Sequence, residues 1–206
     1  MRTAAEFWDR AAARYARAPV RDAAAYAETL ERVRAQLRPA DRALELGCGT
    51  GMTAVALAPH VAAYEGRDVS GEMLAIARTR AAEAGLASLA FAPGDVEAAI
   101  EGGPFDVVLA FNLLHLVPDL DGALARIHAA LRPGGRFLSK TPCLAAAVLA
   151  PKYRLILAAL PLLRLIGWAP GFVARLSPEA LESRVAAAGF VIEDRADLPA
   201  MPPSRF

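Results

Sequence analysis

Three glycines at alternate positions follow a short apolar run early in the chain. Residues 43–46 contain one acidic side chain, Glu45, and Gly47, Gly49 and Gly51 come directly after this run. The first glycine permits a tight turn from a strand into a helix, and the second lets a ligand approach the backbone. The free N–H groups of such a loop face the pocket. The stretch therefore predicts a binding site for a cofactor that carries a nucleoside.

The residues around the loop distinguish between nucleoside cofactors. Asp68 ends the second predicted strand, about 20 residues beyond Gly47, where a carboxylate can accept both ribose hydroxyls. A dinucleotide fingerprint needs its third glycine where Met52 stands. A phosphate-binding loop needs Gly-Lys-Ser/Thr, whereas Gly51 is followed by Met52 and Thr53. The pattern indicates a ribose-bearing cofactor without a pyrophosphate.

The loop is the first of five segments that together resemble class I S-adenosylmethionine-dependent methyltransferases. The second segment carries Asp68, the third carries Asp95, and the fourth runs from a strand into a loop with His115. The segments follow in order over residues 40–141. The subgroup that they resemble is the small-molecule methyltransferases related to the ubiquinone/menaquinone type. The five segments are 45–51, 66–74, 93–96, 105–115 and 131–137.

The resemblance implies S-adenosylmethionine as the cofactor and S-adenosylhomocysteine as the product. In the family pattern the acid at Asp68 holds the ribose, while Val69 and Met73 pack on the adenine. The acid at Asp95 accepts a hydrogen bond from the adenine amino group. The full set of expected cofactor-binding residues is Tyr15, Glu45, Gly47, Cys48, Gly49, Asp68, Val69, Met73, Gly94, Asp95, Val96, Asn112 and Leu113.

The charges of this cofactor agree with the residue types around the loop. It is a sulfonium cation with an amino-acid tail, and Glu45 places negative charge where it reaches the tail's ammonium directly or through water. The N–H groups of the helix that starts near Gly51 suit the tail's carboxylate. In similar enzymes the N-terminal arm folds over the cofactor, and Tyr15 is expected to act as this lid. Phe7 and Trp8 either join the lid or pack the first helix on the domain.

Methyl transfer from a sulfonium is an in-line displacement, so positioning and desolvation supply much of the catalysis. A general base is needed only when the nucleophile arrives protonated, and His115 is the best candidate because it can hold a proton near neutral pH. The alternative is that His115 starts a helix and is merely hydrogen-bonded. The loop 112–115 lacks the Asn/Asp-Pro-Pro-aromatic pattern of amide and exocyclic-amine methylators, which argues against a DNA base or glutamine as substrate. A non-catalytic module that binds the cofactor is the second functional hypothesis.

The order of the predicted elements favours an α/β fold. It is a Rossmann-like, doubly wound, mostly parallel sheet with helices on both faces. Two helices are expected within 3–37, and a short helix is expected to end at Ile100. The seventh strand that similar enzymes have is expected to be missing or reduced. The predicted strands are 42–46, 61–68, 88–92, 105–111, 136–141 and 190–197.

The 206 residues are expected to form a single domain, with one apolar segment on the substrate side. This domain divides into an N-terminal helical arm or lid (1–38), a cofactor-binding core (40–141), an apolar helical insertion (142–176) and a last helix and strand (177–206). The most apolar part, 143–170, is a cap on the sheet edge, a dimer face or a lipid-touching surface. Each of these agrees with a small, hydrophobic methyl acceptor.

Composition excludes several other classes. The formal net charge is +1, from 23 basic and 22 acidic residues, so no positive field indicates a nucleic-acid partner. Two cysteines, Cys48 and Cys143, are too few for a disulfide framework and suit a reducing compartment. No cluster of Cys, His and acidic residues has metal-ligand spacing, so no metal site is expected. The sequence predicts a cytoplasmic protein.

Overall fold

A mostly parallel sheet forms the centre of the computed structural model, which describes residues 3–86, 88–96, 98, 100–147, 151–199 and 203–206. Within these residues the sheet has the order β3-β2-β1-β4-β5-β6. Strands β1 to β5 pair in parallel, and β6 is antiparallel to β5. The strands are β1 Arg42–Leu46, β2 Ala63–Asp68, β3 Leu89–Pro93, β4 Phe105–Phe111, β5 Leu131–Pro142 and β6 Ser204–Arg205.

Helices pack on both faces of the sheet, and most of them begin at a side-chain cap. Thr3 and Glu6 form a capping box at the start of α1, and Ser70 caps α4 through the N–H of Met73. Short 3₁₀ turns at Ala58–His60 and Leu114–Leu116 connect the elements. The helices are α1 Ala4–Arg17, α2 Ala23–Gln36, α3 Met52–Leu57, α4 Gly71–Glu83, α5 Leu120–Ala130, α6 Leu144–Ala147, α7 Pro151–Leu165 and α8 Pro178–Ala187.

The side chains of strand β4 show why helices cover both faces of the sheet. The first six residues of β4 are buried, and successive side chains alternate between the two faces. Val108 belongs to the core that contains α5 and α8, whereas Val107 and Leu109 belong to the core that contains Val33 of α2. The doubly wound fold predicted from the sequence is therefore confirmed. The strand order reverses direction between β1 and β4, and in such sheets the crevice at that point holds the ligand.

Two predicted elements are wrong. The sequence predicts a strand over 190–197, but 190–196 is irregular, and β6 takes the place beside β5 instead. Arg205 of β6 forms ion pairs with Asp197 and Glu182, and these pairs hold the antiparallel end against the chain that precedes it. The expected short helix near 95–100 is a turn in its described residues, closed by the N–H of Ala98 on the carbonyl of Asp95 at 3.1 Å. The seventh strand was expected to be missing or reduced, and the antiparallel strand that is present has two residues.

Candidate functional site at the carboxyl edge of the sheet

The three loop glycines have positive φ but serve different purposes. Gly47, Gly49 and Gly51 have φ of 65°, 53° and 74°. A Cβ at Gly47 would lie 2.8 Å from Leu113 Cδ1, and one at Gly51 would lie 2.7 Å from Ala77 Cβ. A Cβ at Gly49 would meet nothing within 4 Å. The outer glycines are therefore needed for packing, while Gly49 exposes open backbone to a ligand.

Asp68 connects the glycine loop to the start of α4. Its carboxylate accepts from the N–H of Gly49 at 2.8 Å and from the N–H of Ser70 at 2.9 Å. Burial raises the pKa of Asp68, and these backbone hydrogen bonds act in the opposite direction. Its carbonyl accepts from Gly94 at 3.1 Å, which brings the end of β3 to the same place. The acid predicted to hold the ribose thus lies beside the open glycine.

Glu45 is a buried acid beneath the loop. Only 2% of its surface is exposed, and Tyr64 donates its hydroxyl to Glu45 Oε2 at 3.0 Å. Burial raises the pKa of Glu45 to about 8. Burial also raises the pKa of the Cys48 thiol, and the charges of Glu45 and Asp68 add to this effect. Cys48 is therefore a protonated small residue of the loop rather than a nucleophile.

Helix α1 is fixed over this edge by two residues that the sequence patterns did not single out. Asp9 Oδ1 accepts from Ser70 Oγ at 2.6 Å and from the N–H of Glu72 at 3.2 Å. Arg80 of α4 donates to Thr50 Oγ1 at 2.6 Å and to the carbonyl of Ala16 at 3.2 Å. The pKa of Asp9 is lowered, mainly by the hydrogen bond from Ser70. These contacts tie the middle and the C-terminal end of α1 to α4, and Arg80 connects the latter to the glycine loop.

Tyr15 lies on the side of α1 that faces the two site acids. Half of the residue is exposed, yet burial raises the pKa of its hydroxyl, and Asp68 and Glu45 raise it further. Its ring meets the ring of Trp8 edge to face, with centroids 6.1 Å apart. Phe7 is buried at 9% exposure, which favours packing for that residue. Tyr15 therefore lies near both site acids, and its role as a lid stays a prediction.

The remaining residues of the expected cofactor set differ in exposure. Val69 is half-buried and Asp95 is exposed, whereas Met73 is 2% exposed. Val96 is 7% exposed and belongs to the core beside α5. A Cβ at Gly94 would lie 2.9 Å from Arg67 Cδ. The ends of β2 and β3 are thus adjacent, and the adenine-binding roles of these residues stay predictions.

The end of β4 carries strained backbone and unbonded polar atoms. Asn112 has φ of 54°, and its N–H donates to the carbonyl of Lys140 at 2.7 Å. His115 Nδ1 is buried and has no hydrogen-bond partner among the residues that the structure describes, and burial lowers the pKa of this histidine to about 4. Thr141 Oγ1 on the neighbouring strand β5 is a second buried oxygen without a partner. Buried polar atoms normally have partners, so each of these two atoms is a candidate for a hydrogen bond to a bound ligand.

The apolar segment 143–170 ends in an exposed surface. Leu165 is 84% exposed, Trp168 is 68% exposed and Leu162 is 64% exposed. The described part of the chain has no helix with the length and hydropathy needed to span a bilayer. Residues 148–150 of this segment lie outside the described residues. Residues 162–168 are therefore not part of a fully buried cap.

Comparison with known proteins agrees with this geometry. A family defined as a methyltransferase domain matches residues 14–194, so the chain belongs to that family. A ubiquinone biosynthesis O-methyltransferase of Xanthomonas axonopodis pv. citri is 33% identical over 132 residues, which cover 60% of this chain and 55% of that protein. The chain thus spans about half the length of this curated relative.

Solved structures give the same fold. The YcgJ protein of Bacillus subtilis superposes with a TM-score of 0.68 and 24% identity, covering 82% of this chain and 70% of that one. The [4+2]-cyclase SpnF superposes with a TM-score of 0.66 and 25% identity, covering 89% of this chain and 64% of the other. The fold is that of the Rossmann-like, class I S-adenosylmethionine-dependent methyltransferases.

Proposed function

We propose that this protein binds S-adenosylmethionine and transfers its methyl group to a small, hydrophobic acceptor. The observation that carries the proposal is the open backbone at Gly49, with Asp68 hydrogen-bonded to it and Glu45 buried beneath the loop. These groups stand at the switch point of the sheet, where a doubly wound fold binds nucleosides. The family of the chain supports methyl transfer as the reaction.

The polar groups around the glycine loop fit S-adenosylmethionine. Asp68 offers carboxylate oxygens for a ribose, and Gly49 leaves room for a ligand against the backbone. Glu45 is uncharged at neutral pH when alone, because burial raises its pKa to about 8, and a cation beside it would favour its ionised form. A buried acid is therefore matched to a cationic tail, whereas it would repel a phosphate.

His115 is the proposed general base. The cofactor supplies an electrophilic methyl on sulfur, and the chain must then hold the acceptor in line and remove its proton. Burial lowers the pKa of His115 to about 4, so its imidazole is neutral at physiological pH and its Nδ1 can accept a hydrogen bond. The sequence argument expected a histidine that holds a proton near neutral pH, so the role of base requires that a bound ligand raise this pKa. The curated relative's name specifies O-methylation, which supports a hydroxyl acceptor. A hydroxyl in this place would also reach polar groups that are otherwise unbonded.

The test is methyl transfer from labelled S-adenosylmethionine to components of a cell extract. A labelled product is expected with the wild-type protein, and it should disappear with Gly49→Val. Calorimetry of S-adenosylmethionine binding separates the second candidate, a non-catalytic module. The [4+2]-cyclase SpnF, which shares the fold, supports this second candidate because its named activity is not methyl transfer. Binding without any labelled product would support the module and contradict methyl transfer.

The exposed side chains of Leu162 and Leu165, outside the cavity described below, are proposed to meet another apolar surface. These two side chains, with Arg164 beside them in the chain, suit either a second copy of the chain or a lipid surface. Flotation with vesicles and concentration-dependent mass measurements distinguish the two. Both cysteines are free thiols, which supports the cytoplasm as the proposed location.

A further inference from the structure

A cavity of about 300 Å³ lies between α1 and the turn that ends α7. Helix α1 contributes Phe7, Arg10, Ala11 and Arg14, and the turn contributes residues 166–168. Small-molecule sites begin at about this volume and combine an apolar lining with a few charged groups. The cavity is separate from the glycine loop, and none of its lining residues belongs to the five sequence segments described above.

Two arginines give this cavity its charge. Arg10 and Arg14 are one helical turn apart, so they lie on the same face of α1, and both line the cavity. The acids of the same helix are engaged elsewhere, since Glu6 bonds to Thr3 and Asp9 bonds to Ser70. Both arginines are exposed at the open mouth of the cavity, so solvent screens their mutual repulsion, and an anion between them would be attracted by both charges.

The opposite wall is apolar and is held by a defined helix end. Gly167 has φ of 74°, and the N–H of Trp168 donates to the carbonyl of Leu163 at 2.7 Å. This is the Schellman arrangement, which turns the chain back sharply after α7. It brings Trp168 and Ile166, which are 68% and 51% exposed, to the cavity beside the arginines. An aromatic and an aliphatic surface thus face two cations.

The position of α1 connects this cavity to the proposed reaction. Tyr15 lies toward Asp68 and Glu45, and Arg14, the residue before it, lines the cavity. Consecutive helical residues point about 100° apart, so α1 presents one side to the cofactor and the adjoining side to the cavity. The cavity and the proposed cofactor edge thus lie against adjoining faces of the same helix.

We propose that this cavity binds the methyl acceptor through an anionic group, with Arg10 and Arg14 holding the anion and Trp168 packing on the apolar body. The inference rests on the proposed function and adds the substrate class, an anionic amphiphile that bears a carboxylate, sulfonate or phosphate. The fixed fork of an arginine suits each of these groups.

A matched pair of fluorescent probes tests the anion site directly. 1-Anilinonaphthalene-8-sulfonate carries a sulfonate, and N-phenyl-1-naphthylamine has the same rings without it. The double variant Arg10→Gln/Arg14→Gln is expected to bind the sulfonate probe at least about fivefold more weakly, while affinity for the neutral probe changes less than about twofold. Arg10→Lys/Arg14→Lys should recover most of the sulfonate affinity, because the charge is kept.

Two controls separate a local effect from a general one. Arg21→Gln/Arg38→Gln removes the same charge from exposed positions outside the cavity and should leave both affinities unchanged. Circular dichroism and S-adenosylmethionine affinity should match the wild type in every variant. Equal loss of both probes, or no loss of the sulfonate probe, would overturn the anion site. Loss of binding to phosphatidylglycerol vesicles with sulfonate affinity unchanged would assign the arginines to a bilayer surface and also overturn it.

The charge of the methylated product tests the link to the reaction. Product labelled from an extract should be retained on an anion-exchange column, whereas the cationic cofactor passes through. A neutral product would overturn the assignment of the cavity to the acceptor. Absence of any product would contradict methyl transfer itself, and the probe measurements would still report whether the anion site exists.

Discussion

The glycine loop and the segment after β5 lie along the same side of the molecule but are built differently. Loop groups are bonded within the protein: Gly49 donates to Asp68 at 2.8 Å and Cys48 donates to Arg67 at 3.0 Å. Near the segment after β5, Thr141 Oγ1 at the end of β5 and His115 Nδ1 after β4 have no partner among the described residues, and Leu165 within the segment is 84% exposed. The loop that we propose for the cofactor (the cofactor half) thus has its polar groups bonded within the protein, whereas the side that we propose for the acceptor (the acceptor half) contains buried polar atoms that could bond to a ligand.

The largest expected effect tests the acceptor half. His115→Ala should lower kcat by about 10²–10⁴-fold, because the proton acceptor is lost, with S-adenosylmethionine affinity unchanged. Turnover should be level near neutral pH and fall as pH drops toward about 4, where the imidazole becomes protonated. Product formation with saturating cofactor measures this. His60→Ala, at an exposed histidine before β2, is the control. Unchanged turnover in His115→Ala would show that His115 is not the general base and that this side of the site only binds the acceptor.

The next effect tests the cofactor half. Gly49→Val should weaken S-adenosylmethionine binding by about 100-fold, or ~2.7 kcal/mol, because φ is 53° and the side chain would fill the ligand's space. Asp68→Ala should also weaken binding, since it removes a carboxylate that orders the loop. Calorimetry gives both affinities. Gly171→Val is the control, because a Cβ there meets nothing within 4 Å and its φ is ordinary. Wild-type affinity in both site variants would show that the glycine loop is not part of the cofactor site.

The buried acid gives a pH test of the same half. Because the pKa of Glu45 is about 8, roughly one-tenth of it is ionised at pH 7, and its ionised fraction changes about tenfold per pH unit below that. Affinity for the cationic cofactor should therefore rise about tenfold between pH 6 and 7, where the cofactor's ammonium keeps its charge. Binding at pH 7 should release a proton, seen by calorimetry in buffers of different ionisation enthalpy. Glu45→Gln should abolish both effects.

The same pKa has a consequence for the ligand-free protein. The folded carboxyl keeps its proton between pH 4.5 and about 8, while the unfolded one loses it. The Glu45 contribution to the free energy of unfolding should therefore fall as pH rises through this window. Denaturant unfolding at a series of pH values measures it against Glu45→Gln. A flat difference between the two proteins would show that Glu45 is ionised in the fold.

The smallest expected effect concerns the contacts that hold α1 between the two halves. Arg80→Ala removes the donors to Thr50 and Ala16 and should weaken S-adenosylmethionine binding by about fivefold. Hydrogen exchange of α1 should rise at the same time. Arg78→Ala, on the same helix but bonded to Phe91, is the control. If Arg80→Ala leaves exchange in α1 unchanged, the arginine orders only the loop.

The elements that the sequence predicted well have strong local signals. Strand β4 has seven residues with almost no polar side chain, and its burial follows from that run alone. Ser70 and Ser177 begin α4 and α8 as caps, as a serine before a helical pattern indicates. The prediction of a strand over 190–197 is wrong because a later segment pairs with the edge of β5. Ser204 and Arg205 form that pairing instead, and Arg205 is held by Asp197 and Glu182.

The sequence by itself determined the fold and the position of the cofactor loop, because glycine spacing and an acid at a strand end are short-range constraints. Only the tertiary structure decided which residues complete the site. Asp9 reaches Ser70 across 61 positions, and Arg80 reaches Ala16 across 64, so no local pattern announces either contact. The unbonded His115 and Thr141, and the arginines of α1 facing Trp168, likewise depend on packing between distant segments. Local chemistry encodes the strands and caps, whereas burial and charge at the acceptor side arise only when these elements meet.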